Sequence, residues 1–256
     1  MTDQHDFAAR VEQPDAPSRI VLVCEHASNA FPPPWGTLGL DAAAQQAHIA
    51  WDPGALGVAR GLAARLDACL VHAPVSRLIH DLNRAPDSPG AMPVRSENID
   101  IPGNCGLAPA EAAARVAAVY APFHAGLAAV IARRLVLGLR PVLVTVHSFT
   151  PVWHGAPRPV EFGVIHDDTR PEDDRFARAV LAAAWAMTGL RAELNAPYSA
   201  ADEVTHLLRL HAVPYGLPHA MLEIRNDLIA DDASQAEMAE RLAPVLTRAM
   251  AALRGA

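Results

Sequence analysis

Ile20-Val-Leu-Val-Cys24 runs without a break into Glu25-His26-Ala-Ser-Asn29. Five apolar residues, three of them β-branched, are what a strand buried on both faces of a parallel sheet requires. The carboxylate and imidazole that follow put chemistry at that strand's carboxyl end. The same pattern recurs twice. Residues 141–146 form an apolar run that ends at His147-Ser148-Phe149, and residues 219–224 form another that carries Glu223 and leads into Arg225-Asn226-Asp227. In open α/β sheets, ligands bind beyond the carboxyl ends of the strands. Three separate segments can therefore bring histidine and carboxylate to one edge.

Working outward, residues 69–75 and 160–165 read as further strands and 191–194 as a short one. Asp52-Pro53 opens a helix to about residue 66, with Asp as N-cap and Pro in the first turn. Residues 109–138 are Ala-rich and helical, bent or split at Pro122. Residues 171–189 and 234–254 are the other helices, and residues 76–107 are mostly irregular, which in a stretch that long points to function. Residues 1–18 read as a flexible leader and 19–256 as one domain. Strands alternating with helices predict an α/β fold, a three-layer α/β/α sandwich around a mixed, largely parallel sheet.

Composition narrows the chemistry. The chain has 256 residues, 51% of them hydrophobic, which suits one large core. Aromatics are only 5%, so Ala, Val and Leu must supply most of the packing. The net charge is −7, and no basic run exceeds Arg133-Arg134, which argues against nucleic acid. All 21 basic residues are arginine. A lysine Schiff base and a P-loop lysine are thus excluded, and a basic group that reads a substrate must be a guanidinium. The three cysteines, Cys24, Cys69 and Cys105, have neither disulfide-scaffold nor zinc-knuckle spacing. The polar amino terminus has no signal-like apolar region, and no run is expected to span a membrane. A reducing cytoplasm is the expected compartment, with no membrane partner and with self-association left open.

His26 and His147, at the ends of two neighbouring strands, are the candidate metal ligands, and zinc suits histidine and oxygen donors with one position open. Glu223 sits in an otherwise apolar strand. It must be paired with an arginine, bound to a metal, or hold a raised pKa as a general base. In Ser76-Arg77-Leu-Ile-His-Asp81-Leu-Asn83-Arg84, an Asn-Arg pair could grip a carboxylate, and Arg77 could serve an oxyanion. The alternative for that segment is a surface turn with solvated arginines. Arg225 is a further candidate for substrate contact.

Cys24–Asn29, Asp52, the Ser76–Arg84 segment, His147-Ser-Phe149 and Glu223–Asp227, in this order, resemble the N-formylglutamate amidohydrolase family over residues 20–230. They are also similar to the wider zinc-carboxypeptidase-like and aspartoacylase group. The resemblance implies a phosphorylase/hydrolase-like fold and hydrolysis of an amide bond in a small anionic N-acyl amino acid. It assigns one zinc ion to His26 and His147, the acid/base role to Glu223, oxyanion assistance to Arg77, and carboxylate binding to Asn83 and Arg84. The group's third ligand is a glutamate three residues after the first histidine, and here that position is Asn29, a poor zinc ligand. Asp52 and Glu25 are the alternatives. Two competing readings are a thiol hydrolase using Cys24 with His26, and a non-catalytic metal- or carboxylate-binding module.

Overall fold

The computed structural model describes residues 7–170 and 174–253. In chain order the strands are β1 (Arg10–Glu12), β2 (Ile20–Cys24), β3 (Cys69–His72), β4 (Arg95–Ser96), β5 (Ile99–Asp100), β6 (Val142–Phe149), β7 (Val152–Trp153), β8 (Ala156–Pro157), β9 (Phe162–Ile165), β10 (Ala192–Leu194) and β11 (His219–Arg225). The α-helices are α1 (Ala42–Gln46), α2 (Ala55–Leu66), α3 (Pro109–Arg115), α4 (Ala121–Val136), α5 (Asp174–Met187), α6 (His206–His211) and α7 (Asp232–Ala252). Seven strands form one sheet in the order β1-β3-β2-β6-β11-β9-β10, while β4-β5 and β7-β8 are separate hairpins. The centre, β3-β2-β6-β11, is parallel, and β1 and β9 run against their inner neighbours. This is the expected mixed, largely parallel α/β sheet.

Alternation along the strands builds two cores. Ile20, Leu22, Val144 and Leu222 face α2, α5 and α7. Val21, Val23, Leu143 and Met221 face the side covered by α4 and α6. Phe123 of α4 is fully buried there, and truncating such a side chain to alanine costs about 3–5 kcal/mol.

Three local outcomes differ from the sequence reading. Within the expected leader, Arg10–Glu12 pairs antiparallel with β3, and the Glu12 carboxylate accepts from Arg60 and His72. Residues 1–6 lie outside the described residues. The helix expected from Asp52 begins instead at Ala55, after a left-handed Gly54. A β-carbon on Gly54 would lie 2.3 Å from the Ile229 carbonyl oxygen, so the turn requires glycine. This releases Asp52 from capping. Finally, the 109–136 run is continuous but changes pitch in a π turn at 116–120, just before Pro122. Proline lacks the N–H for a regular i−4 bond, and the wider turn accommodates its ring. By length and composition alone this run could cross a membrane, contrary to the sequence expectation. Here its Phe123, Leu127 and Ile131 pack into the core beneath the sheet.

Candidate active site

The sheet register sets the first row of the site. Val23 of β2 pairs with Thr145 of β6, and His147 of β6 pairs with Glu223 of β11. Residues two apart on a strand share a face. Glu25 therefore keeps the parity of Val21 and Val23 and comes beside His147, with Glu223 on the far side. His26 and Asp52 arrive from the turns after β2 and before α2, joined by the Asp52 N–H donating to the His26 carbonyl at 2.9 Å. All five side chains are buried. His26, Asp52, His147 and Glu223 line a cavity of about 640 Å³, within the usual range for small-molecule sites.

Carboxylates and imidazoles alternate here. Asp81 Oδ1 lies 2.8 Å from His26 Nε2, His26 Nδ1 lies 3.4 Å from Asp52 Oδ2, and the same oxygen lies 2.9 Å from His147 Nδ1. His147 Nε2 then lies 3.0 Å from Glu25 Oε1, off the line of a good hydrogen bond, so neither atom is satisfied. A neutral imidazole has one N–H. His26 spends its N–H on Asp81, so its Nδ1 lone pair faces Asp52, while His147 Nδ1 donates to the same Asp52 oxygen. A buried lone pair against a buried carboxylate is repulsive unless positive charge lies between them. His26 Nδ1 is indeed an orphaned buried atom.

The electrostatics express the same demand. Burial and Arg77 push His26 down, but Asp81 and Asp52 outweigh them and hold it above the usual imidazole range. His147 is likewise lowered by burial but raised well above that range by Glu25 and Asp52. Burial raises Asp52, and the two histidines more than reverse it, so it stays ionised. Donor atoms of His26, Asp52 and His147 lie within 4.8 Å of one another, a spacing that one metal ion could bridge. Two imidazoles and a carboxylate match the donor preference of zinc, and the outer Asp81 and Glu25 would orient the rings. Glu25 thus stands behind His147, and the Asp52 carboxylate is the group that both histidines face. Asn29 is directed elsewhere, donating to Gln45 O and Gln46 Oε1.

Glu223 borders this cluster. Burial raises its carboxyl to about 7, against lowering by His147, and its Oε2 has no hydrogen-bond partner. Arg77 is fixed by Asp81 through Nε at 3.0 Å and Nη2 at 2.5 Å, and its Nη1 reaches Asp52 at 3.4 Å. Arg84 lines the cavity and donates from Nη1 to the Asn83 and Glu203 carbonyls. The Asn83 amide is committed to the fold, donating to Val204 O at 2.5 Å and accepting from Leu207 N at 2.9 Å. Arg225 does not line the cavity. It bonds Asp227 and the Arg158 carbonyl and lies 3.7 Å from Glu161.

Sequence reasoning did not assign Asp81, Arg158 or Tyr198. Asp81 was visible in the motif, and its position between Arg77 and Asn83 is its signal. Arg158 and Tyr198 carry no such pattern. Tyr198 reaches the cavity because the chain crosses closely over Gly163, where a β-carbon would meet Ala196 O at 1.9 Å. Cys24 is fully buried on the sheet face opposite Glu25 and His147, and burial holds its thiol well above the usual range. That argues against a thiolate nucleophile.

The fold and site define an α/β protein with a buried donor set that could hold a metal ion. The chain belongs to the N-formylglutamate amidohydrolase family, whose profile matches residues 18–230. It is therefore placed among hydrolases of carbon–nitrogen bonds other than peptide bonds. A solved gene product of Agrobacterium tumefaciens is 48% identical, with 99% of each chain covered and a TM-score of 0.94. The N-formylglutamate amidohydrolase of Ralstonia eutropha JMP134 shares the fold at 18% identity, covering 97% of this chain and 99% of that one, with a TM-score of 0.65. No curated protein matches the chain.

Proposed function

We propose that this protein hydrolyses the amide bond of a small anionic N-acyl amino acid, such as N-formylglutamate, using one zinc ion held by His26, Asp52 and His147. The observation that carries the reading is the Asp81–His26–Asp52–His147–Glu25 chain, with two imidazoles directed at one buried carboxylate beside Glu223. A divalent cation in that position supplies Lewis acidity and lowers the pKa of water. The remaining steps belong to side chains. Glu223, raised to about 7, takes a proton from the attacking water at its unpartnered Oε2 and returns it to the departing amine nitrogen. Arg77, kept rigid by Asp81, stabilises the oxyanion of the tetrahedral intermediate. Arg84 holds the substrate carboxylate, and Asn83 braces its loop against residues 204–207. We place the activity in the cytoplasm, in keeping with three free thiols.

The test is elemental analysis of the purified protein, followed by turnover of N-formyl and N-acetyl derivatives of glutamate, aspartate and neutral amino acids. One equivalent of metal and turnover of the acidic derivatives are expected. Metal-free protein with full activity, or turnover restricted to thioesters, would sink the reading.

A further inference from the structure

Three arginines line the cavity, Arg77, Arg84 and Arg158, and their charges are disposed differently. Arg77 is neutralised by Asp81 and Asp52. Arg84 has two backbone carbonyls. Arg158, which directly follows β8 of the β7-β8 hairpin, is held by aromatic rings. Its guanidinium carbon lies 4.8 Å from the Trp153 ring centroid, 4.9 Å from Tyr198 and 5.7 Å from Phe149. Nη1 donates to the Tyr198 hydroxyl at 3.0 Å. Among the described residues no carboxylate forms an ion pair with Arg158. Rings orient a cation but do not neutralise it. The Arg158 backbone is fixed too, because its N–H donates to Pro151 O and its carbonyl accepts from Arg225.

A half-buried guanidinium, preset in its plane and lacking a counter-ion, is built to receive a planar anion through its remaining N–H edge. The rest of the cavity strengthens the case. Its inner end holds Asp52, Asp81 and Glu223, so an anionic substrate needs attraction from elsewhere on the wall. Phe149 and Trp153 offer apolar surface to a short methylene chain. Tyr198, whose hydroxyl is pushed up by burial and by the charge on Glu223, ties Arg158 to the neighbourhood of the acid/base.

We propose that Arg158 is a second carboxylate anchor, separate from Arg84, and that it sets the preference for acidic over neutral side chains in the substrate. This rests on the amidohydrolase reading above. A dianionic N-acyl amino acid then bridges two guanidiniums on different elements, one in the loop after β3 and one on the β8 side of the β7-β8 hairpin.

The test compares kcat/KM for N-formylglutamate and N-formylglutamine in wild type, Arg158→Gln and Arg158→Lys. It also measures calorimetric binding of glutarate, which cannot turn over. One charge-assisted contact corresponds to about 10–150-fold. Arg158→Gln should lower the acid-to-amide ratio by roughly that factor, through KM, and weaken glutarate to a similar degree. Arg158→Lys should recover part of both, because it keeps the charge and loses the planar fork. If Arg158→Gln fails to fold, Tyr198→Phe removes only the hydroxyl that fixes Nη1, and the ratio should still fall several-fold. An unchanged ratio with unchanged glutarate affinity overturns the anchor and leaves the amidohydrolase reading standing. Loss of glutarate binding in Arg158→Gln, in a protein that turns over neither formyl compound, upholds the anchor and overturns the reaction. Wild type that ignores glutarate overturns the anchor.

Discussion

Two groups of buried histidines lie under the same loop and behave in opposite ways. His26 and His147 are flanked by carboxylates and are pushed up in pKa despite full burial. His124 and His211 are stacked at 5.1 Å between centroids, and burial with like-charge neighbours lowers them to about 3 and about 4. In the second group His124 Nε2 meets the Leu82 carbonyl, so its one N–H is spent there, and Nδ1 must accept from His211 Nε2 at 2.8 Å. That network is complete without added charge. The first is incomplete without it. Burial and histidine count do not distinguish the two, but the partner of each ring nitrogen does. The 81–84 loop connects them: the Asp81 side chain reaches His26, Leu82 O reaches His124, and Asn83 fastens to the start of α6.

The comparison breaks most directly at the metal. His147→Ala should take bound metal from one equivalent to nearly none and abolish turnover, whereas His211→Ala should keep the metal. Elemental analysis of both variants decides it. If both retain metal, His147 is not a ligand and the two groups are alike.

A smaller effect falls on the carboxyl between them in character. Glu223→Gln should retain metal and fold but lose roughly 10²–10⁴-fold in kcat, the usual contribution of a general acid/base. Near-wild-type kcat would transfer the proton to another residue. Next comes the connecting loop. Arg84→Ala should reduce the preference for an N-acyl amino acid over its carboxamide by about 10–150-fold. Asn83→Ala should do part of this without touching substrate, by loosening the loop from Val204 and Leu207. Kinetics with the acid and amide pair would show whether the two variants act on the same step; an Asn83→Ala enzyme with the wild-type ratio would make the brace irrelevant.

The legible part of this molecule is its hydrogen-bonded frame. Strand runs such as 20–24 and 141–146 announce themselves because a strand buried on both faces is largely apolar, and a charged or imidazole side chain at its end is then conspicuous. His26, His147 and Glu223 were found that way, and the sheet register then brought His147 beside Glu223. Asp52 was ambiguous because an Asp-Pro pair is also a good helix start, and only the left-handed Gly54 shows that the helix begins later. Arg225 follows Glu223 directly in the same segment, yet its guanidinium bonds Asp227 and the Arg158 carbonyl, and no local pattern carries that information. Arg158 and Tyr198 were invisible for the converse reason. Their roles depend on contacts between segments 40 residues apart, made where the chain crosses over Gly163. His124 and His211 meet across 87 residues, so no local pattern pairs them.

The smallest effect expected is on acid stability, and it isolates the second histidine group. His124 and His211 titrate near 6.5 in an unfolded chain but at about 3 and about 4 in the folded protein. Above pH 6.5 both states are neutral at these sites, and stability does not depend on them. Below it the unfolded chain takes up protons that the native state refuses, so stability falls as pH drops toward 4. The physical obstacle is specific. A proton on His124 Nδ1 would point at the hydrogen of His211 Nε2, inside a pocket that offers no carboxylate within ion-pair distance of either ring among the described residues. At pH 5 this amounts to roughly 2 kcal/mol per histidine, at 1.36 kcal/mol per pKa unit. His211→Gln keeps an amide donor toward His124 and cannot titrate. Urea unfolding at pH 5 and pH 7.5 should show the wild type losing about 2 kcal/mol more than His211→Gln between the two values. The carboxylate-flanked histidines contribute equally to both proteins and cancel in that difference. Identical acid losses in the two proteins would mean that the pair is hydrated or charged in the native state, and the contrast between the two histidine groups would disappear.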